Sequence, residues 1–261
     1  MAIYDVYGNK LIRGRDVSEP WETCMHRGYS SNTVYENTLE AAYRAYLNGA
    51  DWVEVDAHLS SDGVYISNHD ATITVGGTTY TIANESAETL TNLVLSVDPE
   101  YGDCHVPTLE SLLKMCCFTG LKANIDCKAI NATTLAQLVI KTGMSGRASY
   151  ANCSVGNAAT ILSIDKNASF IFRYSSENLS TWESALTDSL TRANSIVWER
   201  YDTPVTDAMI NAIKAKGFRF MMTEVTKASQ IYCLPDLIEF GSTVDSEAVN
   251  KEYVDSVDLG L

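Results

Sequence analysis

Short β-rich runs alternate with longer amphipathic windows along most of the chain. The period-two runs predict strands over 23–27, 52–57, 64–68, 122–127, 147–153, 169–174, 195–199, 218–223 and 237–241. Helical windows fall between them at 38–47, 109–117, 132–141, 158–165, 181–191 and 207–216. In the last, Ala208, Ile210, Ala212, Ile213 and Ala215 make an apolar stripe beside polar Asn211, Lys214 and Lys216. Gly49 and Gly217 follow helical windows, where a left-handed C-cap is expected. Alternation of this kind implies a parallel sheet with helices outside it. About eight such units fit 261 residues, so an α/β architecture with a closed (β/α)8 barrel is preferred over an open sheet.

Two stretches break the alternation. Residues 1–21 precede the first strand and read as an N-terminal extension, leaving 22–261 as a single barrel domain. Residues 71–108, with Gly76-Gly77 and a run of threonines (Thr72, Thr74, Thr78, Thr79, Thr81), read as a small insertion after the second strand region, over the face where barrel chemistry lies. The acidic tail from 243 to 261 forms either a last short helix or a loose end.

Composition narrows the class. Hydrophobic residues make up 46% of the chain, enough for one large core, and charged residues are not gathered into runs. A net charge of −14 argues against DNA, RNA and anionic membranes as partners, because nucleic-acid affinity rests on cations facing phosphates. The seven cysteines are odd in number and lack metal-site spacing, which predicts free thiols in a reducing compartment. No signal peptide and no membrane-spanning run is recognisable. These features predict a cytoplasmic protein, with virion association or non-classical export as the alternatives.

Candidate chemistry concentrates on two strands. In Val53-Glu54-Val55-Asp56-Ala57, alternation sends the valines to the outer helices and Glu54 and Asp56 together into the barrel. Buried unpaired carboxylates cost several kcal/mol, so the pair calls for a cation, and a hard divalent metal suits oxygen ligands. Asn124-Ile125-Asp126-Cys127-Lys128 repeats the arrangement, offering Asp126 as a third metal carboxylate and Lys128 as a fixed cation for phosphate. Of four histidines, His26 and His69 follow predicted strands, where barrel enzymes place active sites. Two imidazoles flanking a phosphodiester can serve as general base and general acid. His58 and His105 read as structural.

The runs His26-Arg27-Gly28, Glu36-Asn37-Thr38, Gly49-Ala50-Asp51, Glu54-Val55-Asp56, Asp62-Gly63 and His69-Asp70 resemble, in order and spacing, the motifs of the glycerophosphodiester phosphodiesterases of the PLC-like superfamily. Val106-Pro107-Thr108-Leu109-Glu110 agrees more loosely. The resemblance implies a TIM-type barrel that hydrolyses a glycerol-based phosphodiester with a divalent ion, Mg2+ or Ca2+. It matches Glu54 and Asp56 to metal ligands, and His26 and His69 to the acid/base pair. It also matches Arg27 to a phosphate-contacting arginine and Lys128 to the lysine of the third-strand motif. The implied substrate is a small-molecule or polymeric phosphodiester.

This sequence departs from the pattern in three places. Asp126 stands where Glu is usual. Met221-Met222-Thr223-Glu224 replaces a Trp-Thr pair, leaving no indole for the substrate pocket and adding a negative charge. A closing Thr-Asp-x-Pro motif is absent around 241–245. Two alternatives follow: a sphingomyelinase D-like transfer to a cyclic phosphate, and a non-catalytic barrel used as a binding module. Gly28 is expected to permit a close approach at the first βα loop, and Asn37/Thr38 to cap the first helix.

Overall fold

The structure, a computed structural model, describes residues 3–4, 10–11, 22–225 and 236–241. The expected acidic tail, the region of the absent closing motif beyond Gly241, and most of the expected N-terminal extension lie outside these. Of the extension, Ile3–Tyr4 and Lys10–Leu11 pair as a short antiparallel ladder.

Eight parallel strands close into a barrel: β1 (Glu22–Met25), β2 (Trp52–Leu59), β3 (Lys122–Ala129), β4 (Ala148–Ala151), β5 (Ser169–Arg173), β6 (Ile196–Arg200), β7 (Arg219–Val225) and β8 (Leu237–Phe240). Each pairs in parallel with the next, and β8 with β1 completes the ring. Helices cover the outside: α1 (Leu39–Leu47), α2 (Ala87–Thr91, in the insertion), α3 (Leu109–Thr119), α4 (Ala132–Lys141), α5 (Val155–Ile164), α6 (Ser176–Ala185), α7 (Ser189–Asn194) and α8 (Asp207–Ala215). Among the described residues none is long and apolar enough to cross a membrane.

Side-chain caps start the helices. Thr38, Thr108, Ser154, Ser175 and Thr206 each accept a hydrogen bond from a first-turn amide, as do Asn131 and Asp188. Each such cap is worth about 1 kcal/mol. Two expected elements change for local reasons. The window 181–191 is two helices, because Asp188 Oδ1 accepts from Thr191 N at 2.8 Å and starts a new turn. The expected strand 64–68 is not a barrel stave. Only Tyr65–Ile66 is extended, and it runs antiparallel to the end of β2. Residues 60–64 form a tight turn with Gly63 at φ 80°, far shorter than the dozen or more residues a parallel crossover needs.

Alternation divides the core. Outward Val53, Val55, Ile125, Phe170, Phe172, Phe220 and Ile238 pack under the helices, with Phe172 stacked on Trp182 of α6 at 5.0 Å. Inward Cys24, Trp52, Ile171, Ile196, Met221 and Leu237 fill the barrel. At the N-terminal end Glu22 accepts from Lys122 Nζ (2.6 Å), Arg219 Nη2 (2.8 Å) and Trp52 Nε1 (2.8 Å). The 71–108 segment has its own small core, including Ile73, Ile82 and Leu90, into which Ile66 of the preceding strand packs. It carries two antiparallel hairpins, Thr72–Val75 with Thr78–Thr81 and Val94–Asp98 with Gly102–His105. Asp62 pins α2 to the hairpin turn by accepting from Ala87 N at 3.0 Å.

Candidate active site

The parallel register of β2 and β3 sets Glu54 beside Asn124 and Asp56 beside Asp126. The inward faces of two neighbouring strands therefore present four polar side chains in one patch. One carboxylate oxygen each from Glu54, Asp56 and Asp126 lies within 4.8 Å of the others. Glu54 and Asp56 are almost wholly buried, 3% and 1% exposed. Burial, and after it the charges of Asp56, Glu239 and Asp126, push the Glu54 carboxyl well above its usual range.

Other groups hold these carboxylates in place. Arg27 N donates to Glu54 Oε2 at 2.9 Å, and Asn37 Nδ2 to Asp56 Oδ2 at 2.7 Å. Asn152 Nδ2 donates to Asp126 Oδ1 at 2.9 Å. Lys128 Nζ lies 2.6 Å from Asp126 Oδ2 and 3.3 Å from Asp56 Oδ1. The Arg27 guanidinium is 2.8 Å from Glu36 Oε1 and 3.6 Å from Asp56 Oδ2. The only non-glycine residues with positive φ among the described ones are Arg27, Asn37, Asn152 and Glu224. All four stand at this barrel mouth, and such backbone conformations cost about 1–3 kcal/mol each, with Asn at the low end. Asn37 N donates to Arg27 O at 2.9 Å, so two of these residues hold one another.

His26 leaves the end of β1, its amide fixed to Phe240 O at 3.0 Å, and its Nε2 stands 3.8 Å from Glu54 Oε2. Burial lowers its pKa to about 3, helped by Arg27, His69 and Lys128, so its imidazole is neutral at pH 7. His69 follows the antiparallel ribbon instead of a barrel strand, yet still reaches the mouth. Its Nδ1 is 2.8 Å from Asp70 Oδ1, and its carbonyl is 3.1 Å from His58 Nε2. His58 thus contacts the backbone of the loop that carries His69. His105 lies on an insertion strand and does not line the cleft.

The cleft encloses about 630 Å³ of empty space and is lined by His26, Arg27, Glu54, His69, Asp126 and Lys128, among others. Six of the seven residues singled out from the sequence line it, and the seventh, Asp56, contacts Arg27 and Lys128 beneath. One expectation is overturned: an indole is available. Trp198 of β6 pairs in register with Met221 of β7 and lines the same cleft, with the Arg173 guanidinium 5.5 Å over its ring. The charge of Glu224 is offset by Arg200 Nη2 at 3.1 Å. Thr38 caps α1, while Asn37 serves Asp56 instead.

Glu239 of β8 also lines the cleft and escaped the sequence reading. It is 6% exposed and accepts from Asn124 Nδ2 at 3.4 Å and Cys24 Sγ at 3.8 Å. Burial, with Asp126 and Glu224, pushes its pKa up to about 8. The signal was an acid at the third position of an otherwise apolar strand, Leu237-Ile238-Glu239-Phe240.

A barrel that gathers carboxylates, imidazoles and fixed cations at one mouth is arranged as a hydrolase of phosphate esters. A model of the glycerophosphoryl diester phosphodiesterase family matches residues 26–238, and the chain belongs to that family of enzymes. Solved structures with the same barrel fold include a glycerophosphodiester phosphodiesterase from Agrobacterium tumefaciens, 20% identical, with TM-score 0.68 over 86% of this chain and 97% of that one. A putative glycerophosphodiester phosphodiesterase from Galdieria sulphuraria is 17% identical, with TM-score 0.73 over 91% and 98%. A phosphodiesterase from Oleispira antarctica, solved in complex with the product sn-glycerol-3-phosphate, is 18% identical, with TM-score 0.72 over 91% and 96%.

Proposed function

We propose that this enzyme hydrolyses a small glycerophosphodiester to an alcohol and glycerol phosphate, using one divalent ion, Mg2+ or Ca2+, and His26 and His69. The observation that carries this reading is the carboxylate trio within 4.8 Å, buried beside two imidazoles, an arginine and a lysine. The donor set fits a hard cation, being all oxygen. Lys128 bridges Asp126 and Asp56 while Arg27 sits nearer Glu36 than Asp56, so the trio keeps uncompensated negative charge, and Glu54 is pushed toward its neutral form without a cation. The shorter Asp126 is no obstacle, since it stands in register with Asp56 on the adjoining strand.

In this reading Glu54, Asp56 and Asp126 hold the ion, which when bound supplies Lewis-acid polarisation of a phosphoryl oxygen. Arg27 and Lys128 orient the phosphate and offset charge that grows in the transition state. His26, whose Nε2 stands 3.8 Å from Glu54 Oε2 at the centre of the site, accepts the proton of the attacking water. His69, steadied by Asp70 at Nδ1, delivers a proton to the departing oxygen. Residues 22–261 act as one catalytic unit, with 71–108 over its mouth.

The test is turnover of glycerophosphocholine with Mg2+, Ca2+ or EDTA, read by phosphorus NMR. Glycerol phosphate formed only with metal supports the reading. A cyclic phosphate as end product, or equal turnover in EDTA, contradicts it.

A further inference from the structure

A second depression opens beside the cleft, on the other side of Arg27 and His69. It is open to solvent and holds about 710 Å³ of empty space, comparable to the cleft. Tyr35 and Glu36 of the β1–α1 loop form one wall, and Thr72, Thr74 and Leu95 of the insertion form the other. Arg27 and His69 line both spaces, whereas His26, Glu54, Asp126 and Lys128 line only the inner one.

The geometry points to this outer groove as the binding site for the second alcohol of the diester, a neutral alcohol bearing hydroxyl groups. The inference rests on the phosphodiesterase reading above. A phosphodiester carries two alcohols on one tetrahedral phosphorus, so they diverge from it, the leaving one lying in line with the attacking water and the retained one to the side. A phosphate held at the shared Arg27 and His69 sends one alcohol into each space.

The groove is built in advance of any ligand. Asn68 Nδ2 donates to Asp70 O (2.7 Å) and Thr72 O (3.3 Å), fastening the loop that carries His69 to the insertion. Tyr35 N donates to Ser96 Oγ at 3.2 Å, and Thr33 Oγ1 to Asp98 Oδ2 at 2.6 Å, fastening the opposite wall to the same insertion.

Its lining selects the occupant. Exposed Thr72 and Thr74 and the carboxylates of Glu36 and Asp70 offer partners to hydroxyls. Arg27 is the one Arg or Lys among the lining residues, and it serves the reacting phosphate. A second phosphate, as in a polyanionic chain, therefore finds no spare cation. Ile73 is 3% exposed and turned into the insertion core, so no broad apolar wall is left for an acyl chain.

The experiment compares two Mg2+-supported esters of glycerol phosphate, one with glycerol and one with methanol as the second alcohol. Thr74→Trp fills the groove from an exposed strand position that tolerates aromatics and is not itself assigned to the chemistry. It is expected to lower kcat/KM for the glycerol ester by about tenfold or more, a size typical of lost pocket contacts, and to leave the methyl ester within about twofold. Thr72→Phe, on the same wall, is the second variant if the first fails to fold, and the same split is expected. Equal loss on both esters, or no loss on either, in a folded variant overturns the groove assignment alone. If the parent enzyme turns over neither ester, the phosphodiesterase reading fails and this inference falls with it.

Discussion

Gly28→Ala is the substitution whose cost the structure specifies most closely. Gly28 lies between Arg27 and the start of the first βα loop with φ 83°. A Cβ built there meets Ala41 C at 2.7 Å, Ala41 Cβ at 2.9 Å and Ala41 O at 2.9 Å. Two of these atoms are helix backbone, so no side-chain rotation relieves the contact. The left-handed backbone costs a non-glycine residue about 1–2 kcal/mol, and overpacking adds about 1–3 kcal/mol. A loss near 3 kcal/mol follows, which for a chain of this size lowers Tm by about 6–12 °C. The same shift displaces Arg27, whose amide holds Glu54, and loosens Tyr29 N from Ala41 O (2.9 Å), so activity falls as well. Thermal melts followed by circular dichroism give the stability, and steady-state rates give the activity. A variant that melts within about 2 °C of the parent and keeps full activity would show that β1 and α1 do not approach as described.

Further outcomes follow from individual groups. His26→Ala and His69→Ala should each lower kcat by about 10²–10⁴ with Tm unchanged; parent-level rates in either would remove that histidine from the chemistry. Asn37→Ala removes the donor at 2.7 Å from Asp56, and calorimetric Mg2+ affinity should drop by about 10–100-fold, an unchanged affinity arguing against Asn37 as a support. The Glu22 carboxyl lies at about 2 because hydrogen bonds from Lys122, Arg219 and Trp52 outweigh the larger single effect of burial, which acts in the opposite sense. Its folded pKa is below its unfolded value, so its stabilisation is present above about pH 4.5 and lost as pH falls toward 2. The shift corresponds to about 3 kcal/mol, discounted to about 2 for partial exposure. Glu22→Gln should flatten the urea midpoint against pH in that window, and an unchanged slope would contradict the assignment.

Much of this molecule is legible along the chain. Strand alternation alone places Glu54, Asp56 and Asp126 inside the barrel, because period-two patterning reports the face of a side chain directly. His26, Arg27 and His69 are recognisable through motif order. What escapes depends on contacts between strands. Trp198 enters the cleft only because β6 and β7 pair Trp198 with Met221, a register no local pattern encodes. Glu239 is a single acid in a short apolar strand, and its partners Asn124 and Cys24 are 115 and 215 residues away. Asn152 and Glu224 owe their positions to left-handed backbone, which their residue types permit but do not announce. The misread strand 64–68 has the composition of a stave, and only the short turn before it forbids a parallel crossover.

The central claim is that Glu54, Asp56 and Asp126 bind one divalent ion required for hydrolysis. Its most direct test is Mg2+ and Ca2+ titration by calorimetry of the parent and of Asp126→Asn, paired with glycerophosphodiester turnover before and after EDTA. The account predicts one ion per chain, weaker binding in Asp126→Asn, and turnover lost in EDTA and restored by metal. Full turnover in EDTA, or an ion bound equally well without the Asp126 carboxylate, would contradict it.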